Sequence, residues 1–345
     1  MQRAAVVILN YNGAHFLRKF LPGVIQFSQG YEIVVADNGS IDDSHVVVKE
    51  FFPLVRYLPF DKNYGYCGGY NKALAQVDAE FYILLNSDVE VTENWIEPVL
   101  QLFDRYQDVA AVQPKMLTYD DRGRFEYAGA AGGWIDLLGY PFCRGRIFNH
   151  MELDKGQYDD TCEIFWASGA CLFVRAELFD RFGGFDEDFF AHMEEIDLCW
   201  RMKHAGYRIL YTHRSVIYHV GGGTLNKVNP QKTFFNFRNG MTLLIKNLPL
   251  REWWKIPLRI GLDWIAALKF VVTGEFKNGW MVFKAHFQVI SDLRKHLRKR
   301  KNIDMTKNVS GGAYSSLILY DYHVKRKRKF SDLNINTLKM EIPSH

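Results

Sequence analysis

Apolar runs and polar breaks alternate along the first hundred residues. Four apolar runs predict buried strands at residues 4–9, 32–36, 55–58 and 81–85, and a weaker fifth run predicts one at 110–113. The stretches between them predict helices at residues 14–27, 43–51 and 94–106, and a segment at 65–77 that starts as a glycine-rich loop over 65–69 and then becomes helical. Strands that alternate with helices indicate βαβ units, so we expect an α/β fold with a Rossmann-like, mostly parallel sheet and flanking helices.

Polar clusters follow three of these predicted strands, at residues 10–12, 37–40 and 86–88. The carboxyl ends of parallel strands meet at one edge of a sheet, where α/β proteins bind ligands. The alternative is a set of ordinary turns, since Asn, Asp, Gly and Ser favour turns. Neither a GxGxxG fingerprint nor a P-loop is present. Asp37 suits the N–H of a base, and Asp88 suits a divalent cation that carries phosphate oxygens.

The segment 249–301 has the spacing of amphipathic helices. An apolar stripe, tryptophans and a following Lys/Arg run favour helices that lie in a membrane interface. The alternative is that these helices pack on the preceding domain. Binding of nucleic acid explains the pattern less well than either. The predicted apolar faces contain Ile260, Trp264, Ile265, Leu268, Val271 and Val272, then Trp280, Phe283, Phe287 and Ile290, with Arg259, Asp263 and Lys269 opposite the first set.

Composition and charge sharpen this division. Of 345 residues, 48% are hydrophobic and 24% charged, which excludes disordered, collagen-like and coiled-coil chains. The net charge of +4 is uneven, because residues 291–330 contain twelve Lys and Arg but three acids. The remainder is therefore mildly acidic. A basic tail of this kind predicts an anionic partner, the alternative being a solvated tail without one.

Cysteine usage and the N-terminus bear on location. The five cysteines are scattered without a CxxC pair, so we expect reduced thiols in the cytosol. The first apolar run turns polar at Asn10, too early for a signal peptide. No uncharged apolar run reaches the roughly 18 residues of a membrane span.

Several linked motifs carry a family resemblance. They are VVILNYNG, VVADNGSIDDS, NYGYCGGYNKAL, YILLNSDVEV, FWASGACLFVRAELFDRFGGFDEDFFAHMEEIDLCWRMKHAGYRI and IYHVGGGT. Over residues 4–245 the chain resembles the GT-A glycosyltransferases of family 2, and particularly rhamnosyltransferase-like members of bacterial polysaccharide assembly. The resemblance implies an inverting transfer from a nucleotide-diphosphate sugar, assisted by Mg²⁺ or Mn²⁺.

The resemblance also assigns the donor site. It places Asn86, Ser87 and Asp88 at the metal-binding DxD position, where Asn86 replaces the first acid. Metal binding would then depend on Asp88, on His219 as a further ligand, and on the diphosphate itself. The three glycines at 221–223 would let the following loop close over that diphosphate. The other residues implied for the nucleotide sugar are Asn10, Tyr11, Asn12, Asp37, Asn38, Ser40, Asn63, Gly65, Gly68, Gly69 and Asn71.

An inverting transfer requires a carboxylate that deprotonates the acceptor hydroxyl. Three acids lie within four residues, and Glu195 matches the position of the usual base, with Glu194 as the second candidate. Asp197 is expected to cap or orient the helix that begins here. The alternative is an ordinary acidic first helical turn, which the helix dipole favours.

The resemblance puts the acceptor beside residues 166–170. Trp166 would stack on an acceptor sugar or, alternatively, belong to the core, and Ser168, Gly169 and Ala170 would border the acceptor. Residues 118–160 lack a clean period and are interpreted as a long acceptor-side loop. Arg144 and Arg146 in that loop would meet an acceptor phosphate, although surface arginines need no such role.

These inferences combine into one functional hypothesis. Residues 1–245 would form the catalytic domain, 246–301 the membrane-associating helices and 302–345 a basic tail. The enzyme would sit peripherally on the cytoplasmic face of the bacterial inner membrane and transfer a sugar, with rhamnose favoured, from a dTDP or UDP donor to a lipid-linked saccharide. The alternatives are a soluble or protein acceptor, or a non-catalytic nucleotide-sugar-binding module.

Overall fold

The computed structural model describes residues 1–221, 229–305, 307, 309–337 and 339–340. Its strands are β1 (Gln2–Asn10), β2 (Glu32–Asp37), β3 (Arg56–Pro59), β4 (Ala79–Asn86), β5 (Val89–Val91), β6 (Val109–Thr118), β7 (Gly133–Ile135), β8 (Pro141–Cys143), β9 (Arg146–Ile147), β10 (His150–Met151), β11 (Thr161–Ile164), β12 (Cys171–Arg175) and β13 (Arg208–His219). Its α-helices are α1 (Ala14–Phe27), α2 (Ser44–Val46), α3 (Gly65–Leu74), α4 (Glu97–Arg105), α5 (Ala176–Arg181), α6 (Glu194–His204), α7 (Pro230–Asn247), α8 (Lys255–Val272), α9 (Phe276–Ser291), α10 (Leu293–Arg300) and α11 (Ile318–His323). A π-helical turn covers Val47–Phe51, and 3₁₀ turns cover Glu187–Phe189, Leu250–Glu252 and Phe330–Asp332.

Nine of the described strands form one sheet in the order β11-β13-β6-β12-β4-β1-β2-β3, with β5 paired to β13. The strands β3, β2, β1 and β4 are mutually parallel, as the alternating pattern predicts. In the other half, β12 is antiparallel to both of its neighbours, and β5 and β11 are antiparallel to β13. The strand order turns back at β1, and such a switch point is where open α/β sheets bind ligands.

Both faces of the parallel half are buried, which explains its continuous apolar runs. Side chains of β1 alternate between two hydrophobic clusters, because Ala5 and Val7 face one cluster while Val6 and Ile8 face the other. Helix α1 covers the second cluster with Leu17, Leu21 and Val24. The predicted α/β architecture with flanking helices is confirmed.

Residues 118–160 differ from the predicted loop. They form a small antiparallel sheet in the order β10-β9-β8-β7, whose strands of two or three residues are too short to show alternation in the sequence. The C-terminal segment packs against this sheet, because Phe330 is 4% exposed and its ring lies 5.1 Å from that of Trp134. Ala313 also forms a β-bridge with Ile135. The predicted basic tail thus packs against this sheet through Phe330 and Ala313.

The C-terminal helices bury a polar face and expose an apolar one. On α8 the polar residues point inward, since Arg259 and Asp263 are 3% and 0% exposed and form an ion pair of 2.9 Å. His286 of α9 also contacts the buried Asp263 carboxylate, at 3.2 Å. The predicted boundary at residue 245 falls inside α7. The apolar residues point outward instead, as exposed Trp264, Ile265, Leu268, Val272, Phe276, Trp280, Phe287 and Ile290 show.

Among the described residues, every helix is too short or too polar to cross a bilayer.

Candidate active site

The carboxyl ends of β1 and β2 are joined by hydrogen bonds between predicted nucleotide-pocket residues. The Asn10 amide and the backbone N–H of Asn12 both donate to Ser40 Oγ, at 3.2 and 2.8 Å. Asp37 is 5% exposed and accepts from the hydroxyl of Tyr57, a residue that the sequence did not single out. These residues therefore share one edge of the sheet, and the side chain of Tyr11 is exposed there.

The next group lies where α3 begins. The buried Asn38 amide donates to Asn63 Oδ1 at 3.0 Å and to the Gly65 carbonyl at 2.9 Å. Asn71, further along α3, exchanges two hydrogen bonds with the backbone of Phe185, at 2.8 and 3.0 Å. The amide of Asn38 thus fixes the entry to α3, while Asn71 anchors a distant loop.

The predicted glycine-rich loop is wrong as a loop. Gly65, Gly68 and Gly69 all belong to helix α3 and are buried. A Cβ at Gly69 would lie 2.8 Å from the Leu9 side chain, so this glycine permits close packing of α3 on β1. These glycines position the helix, and no backbone loop is formed by them.

The DxD position lies at the end of β4. Asn86 and Ser87 are half-buried, and Asp88 is 8% exposed with Oδ1 3.1 Å from His219 Nε2. The other ring nitrogen of His219 lies 3.2 Å from Glu126 Oε1. Burial alone would lower the pKa of His219, but the Glu126 and Asp88 carboxylates raise it to about 10. The imidazolium therefore supplies the positive charge between them.

The structure brings the two predicted metal ligands together and adds Glu126. The sequence does not single out Glu126, because this residue lies in the segment interpreted as a loop. Within the described ranges, no cluster of three or more His, Cys, Asp and Glu side chains has the arrangement of a metal site. The predicted glycine loop over the diphosphate includes residues 222 and 223, which lie outside the described residues.

Residues 168–170 lie between β4 and α3. The Ala170 carbonyl accepts from the Asn86 N–H at 3.0 Å, and the Gly169 carbonyl accepts from the Tyr66 hydroxyl at 2.6 Å. Ser168 is buried and its Oγ accepts from the Ala170 N–H. The predicted acceptor-side segment is therefore tied directly to the donor edge of the sheet.

Two other acceptor predictions are not supported. Trp166 is 4% exposed, and its indole N–H donates to the Trp134 carbonyl at 3.0 Å, so it is a core residue. Arg144 is buried and forms a two-pronged ion pair with Asp160 at 2.6 and 2.7 Å. Arg146 is also buried. Neither arginine is available at the surface for an acceptor phosphate.

The candidate bases open helix α6. Burial, together with the neighbouring Glu195 carboxylate, raises the pKa of Glu194 well above its usual range. Burial also raises the pKa of Glu195, to about 7. His192 Nε2, Glu194 Oε2 and Glu195 Oε2 are all buried without a hydrogen-bond partner among the described atoms. Unsatisfied polar groups are costly to bury, so these three atoms within four residues make this a candidate position for a ligand.

Asp197 orients helix α6 without capping it. The helix begins at Glu194 without a side-chain cap, and Asp197 follows in its first turn, fully buried. Its carboxylate lies 2.9 Å from Lys246 Nζ and 2.9 Å from Arg201 Nε, and accepts from the Asn247 amide. Burial opposes ionisation, yet these cations lower the pKa of Asp197. The carboxylate is fully engaged in structure.

Helix α7 therefore supplies partners that the sequence analysis missed. Asn239, Lys246 and Asn247 are all buried, and the last two follow Asn239 by seven and eight residues, which places them near one face of the helix. Polar residues at this spacing are the signal that would have found them.

Comparison with known proteins agrees with this architecture. The family model described as "Glycosyl transferase family 2" matches residues 5–183. A curated relative from Mycobacterium tuberculosis, "N-acetylglucosaminyl-diphospho-decaprenol L-rhamnosyltransferase", is 26% identical over 314 residues, which cover 86% of this chain and 95% of the relative. "Rhamnosyltransferase WbbL" of Escherichia coli K12 is 24% identical over 60% of this chain and 79% of its own length.

Two solved structures share the fold. Staphylococcus aureus TarS (its residues 1–349) in complex with UDP-GlcNAc superposes with a TM-score of 0.56 at 15% identity and covers 88% of each chain. GalNAc-T7 with UDP, GalNAc and Mn²⁺ superposes with a TM-score of 0.57 at 14% identity, over 86% of this chain and 58% of its own. The chain is a glycosyltransferase of the GT-A fold and belongs to glycosyl transferase family 2.

Proposed function

We propose that this enzyme transfers a sugar, with rhamnose favoured, from a nucleotide-diphosphate donor to a lipid-linked saccharide, with inversion at the anomeric carbon. One observation carries the proposal. Tyr66 links the polar edge at β1, β2 and β4 to the Glu194–Glu195 pair, because its hydroxyl donates to the Gly169 carbonyl and its pKa is raised by burial and, to a lesser extent, by these two acids.

Glu195 suits the role of the base. A base works best when its pKa lies near the working pH, and burial raises that of Glu195 to about 7. Burial and the neighbouring Glu195 carboxylate raise the pKa of Glu194 as well, which favours its protonated form. As the acceptor oxygen bonds to the anomeric carbon, its proton passes to Glu195, and the bond to the diphosphate breaks on the opposite face.

The residues at the DxD position fit a Mg²⁺ or Mn²⁺ ion that is shared with the donor. Such ions are commonly held by one or two protein ligands plus substrate phosphates. Asp88 and His219 lie 3.1 Å apart and offer a carboxylate and an imidazole, although the imidazole must first lose its proton. When bound, the ion would neutralise charge on the departing diphosphate. Asp37 and Asn10 would hold the nucleotide.

The acceptor assignment rests on the relatives and on the exposed apolar face. The Mycobacterium relative is named for a decaprenol-linked substrate. We define the apolar face as the exposed residues Trp264, Ile265, Leu268, Val272, Phe276, Trp280, Phe287 and Ile290 of α8 and α9. Exposed apolar side chains grouped on two packed helices are typical of an interaction site. We assign it to the cytoplasmic surface of the bacterial inner membrane, where a lipid-linked acceptor would be present.

The test of the reaction is a transfer assay. The purified enzyme is supplied with dTDP-rhamnose or UDP sugars, Mn²⁺ or Mg²⁺, and either a polyprenyl-diphosphate N-acetylglucosamine or a soluble N-acetylglucosaminide. We expect transfer to the lipid-linked acceptor and inverted anomeric configuration by NMR. Retained configuration, or equal use of the soluble acceptor, would contradict the proposal.

The membrane assignment is tested by vesicle flotation. Phe287→Ser removes an aromatic ring from the apolar face, and burying such a ring is worth about 1.5–3 kcal/mol, so vesicle binding should weaken about ten- to a hundredfold. Leu54→Ser is the matched control, because Leu54 is 98% exposed and lies outside the apolar face. If both variants float with vesicles as well as wild type does, the assignment of the apolar face to the membrane is wrong.

A further inference from the structure

The segment that leads into helix α6 has an unusual backbone. Phe190, His192 and Met193 have φ angles of 63°, 70° and 74°, in the left-handed region that non-glycine residues rarely adopt. Such conformations persist only where the surrounding structure holds them. Glu194 and Glu195 follow directly, so whatever holds this segment also sets the place of the candidate base.

Helix α7 holds the segment through one buried side chain. Asn239 is 1% exposed, and its Nδ2 lies 3.0, 2.8 and 2.7 Å from the carbonyl oxygens of Phe189, Ala191 and His192. The two hydrogens of this one amide group thus serve three carbonyls, one hydrogen being shared between two of them. No other side chain is described as donating to the Ala191 or His192 carbonyl.

Arg238 extends the clamp. Its Nη2 donates to the Asp188 and Phe189 carbonyls, each at 2.8 Å, and its Nε donates to Asn239 Oδ1 at 2.8 Å. The last bond fixes the orientation of the amide, so that its NH₂ group points at the carbonyls. From the other side, the Phe190 carbonyl accepts from the Tyr66 N–H at 2.9 Å. The strained stretch is therefore held between α7 and α3.

We propose that Asn239, oriented by Arg238, is a positioning residue that keeps Glu195 in reach of the acceptor hydroxyl. The inference rests on the proposed function. Glu194 and Glu195 each have one carboxylate oxygen without a partner among the described atoms, so their own side chains do not fix them in place. Their position depends on the backbone that carries them. A misplacement of about 1 Å at a reacting group costs on the order of 100-fold in rate.

The main test compares Asn239→Ala and Arg238→Lys with Asn236→Ala. Asn236 is a half-buried residue of the same helix, without a side-chain hydrogen bond among the described residues, and is the matched control. In the transfer assay we expect kcat to fall about 100-fold for Asn239→Ala and at least tenfold for Arg238→Lys. The affinity for UDP or dTDP with Mn²⁺, measured by calorimetry, should change less than twofold, since the nucleotide residues lie at β1 and β2.

Hydrogen–deuterium exchange gives a readout that is independent of turnover. Amides of residues 190–196 should exchange at least tenfold faster in Asn239→Ala than in wild type or Asn236→Ala. A further experiment compares Glu195→Ala with the double variant that also carries Asn239→Ala. Because Asn239 is proposed to act through Glu195, the second substitution should not lower the residual transfer rate any further.

The outcomes separate the two claims. If wild type transfers no sugar, the proposed function fails, while the exchange experiment still decides whether Asn239 holds the segment. If transfer is normal and Asn239→Ala and Arg238→Lys both keep wild-type kcat or exchange, the positioning role is wrong. Arg238→Lys keeps the charge and most of the volume, so it protects the test against a general loss of folding in Asn239→Ala.

Discussion

Replacing Glu195 by Gln removes a carboxylate that folding has to desolvate, so we expect activity and stability to change in opposite directions. The amide cannot accept the proton of the acceptor hydroxyl, and loss of a general base costs about 10²- to 10⁴-fold in kcat. The same change removes a buried ionisable group from the folded state. Most substitutions that abolish activity lack this second effect.

The size of the gain follows from the pKa. Burial raises the pKa of Glu195 from 4.5 to about 7, and each pKa unit corresponds to 1.36 kcal/mol, so ionised Glu195 destabilises the fold by about 3 kcal/mol. Below pH 4.5 the carboxyl is protonated in both folded and unfolded chains, and the variants are equal. Between pH 4.5 and 7 the unfolded chain releases its proton while the folded chain keeps it, so wild type loses stability relative to the Gln variant, and above pH 7 the difference stays constant.

Thermal unfolding at pH 4.5 and pH 8 measures this difference. For a chain of this length about 3 kcal/mol corresponds to about 4 °C, so Glu195→Gln should melt about 4 °C above wild type at pH 8 and with it at pH 4.5. Glu177→Gln is the control, because Glu177 is exposed on α5 and pays no burial cost. A Gln variant that is less stable than wild type at pH 8 would refute the burial argument, and one that keeps its kcat would refute the assignment of the base.

Three further changes test other parts of the structure. Asp88→Ala should lower kcat/KM by about 100-fold or more, and added Mn²⁺ should restore little of it; full rescue would exclude Asp88 as a ligand. Gly133→Ala would place a Cβ against the Trp166 indole and should lower the free energy of unfolding, measured in urea, by about 1–3 kcal/mol. A decrease below about 0.5 kcal/mol would contradict that packing. Lys246→Met removes the cation that the buried Asp186 and Asp197 carboxylates share and should lower the free energy of unfolding by about 3–5 kcal/mol in the same measurement, and an unchanged midpoint would contradict the ion pairs.

The sequence predicts the parallel half of the sheet and its polar edge for physical reasons. Strands that are buried on both faces need continuous apolar runs, and β1 and β4 have them. Their polar ends then place Asn10 and Asp88 at one edge, because parallel strands end together. The glycines of α3 were misassigned because a glycine that permits close packing is indistinguishable by sequence from one that bends a loop.

The remainder depends on contacts between residues distant in the chain. On α8 the sequence places Arg259 and Asp263 on the polar face, and both are buried because each charge finds a partner, including His286 on the next helix. No helical periodicity contains that information. Likewise Asp197 has the spacing of a helix-terminal acid, but its partner Lys246 lies 49 residues away.

The basic residues of α10 differ in whether they have an internal partner, and we therefore expect opposite effects from substituting two adjacent ones. Lys299 is committed internally, since its Nζ forms ion pairs with Asp186 and with Asp188 Oδ2, the latter at 2.6 Å. Arg298 is exposed. A basic residue near an anionic bilayer is worth about 1 kcal/mol, so Arg298→Gln should weaken binding to anionic vesicles about fivefold and leave thermal stability unchanged. Lys299→Gln should instead lower the melting temperature, because it leaves two partly buried carboxylates short of a cation. If both variants changed vesicle binding equally and neither changed stability, the stretch would act as a uniform basic tail, and the division seen in the ion pairs would have no consequence in solution.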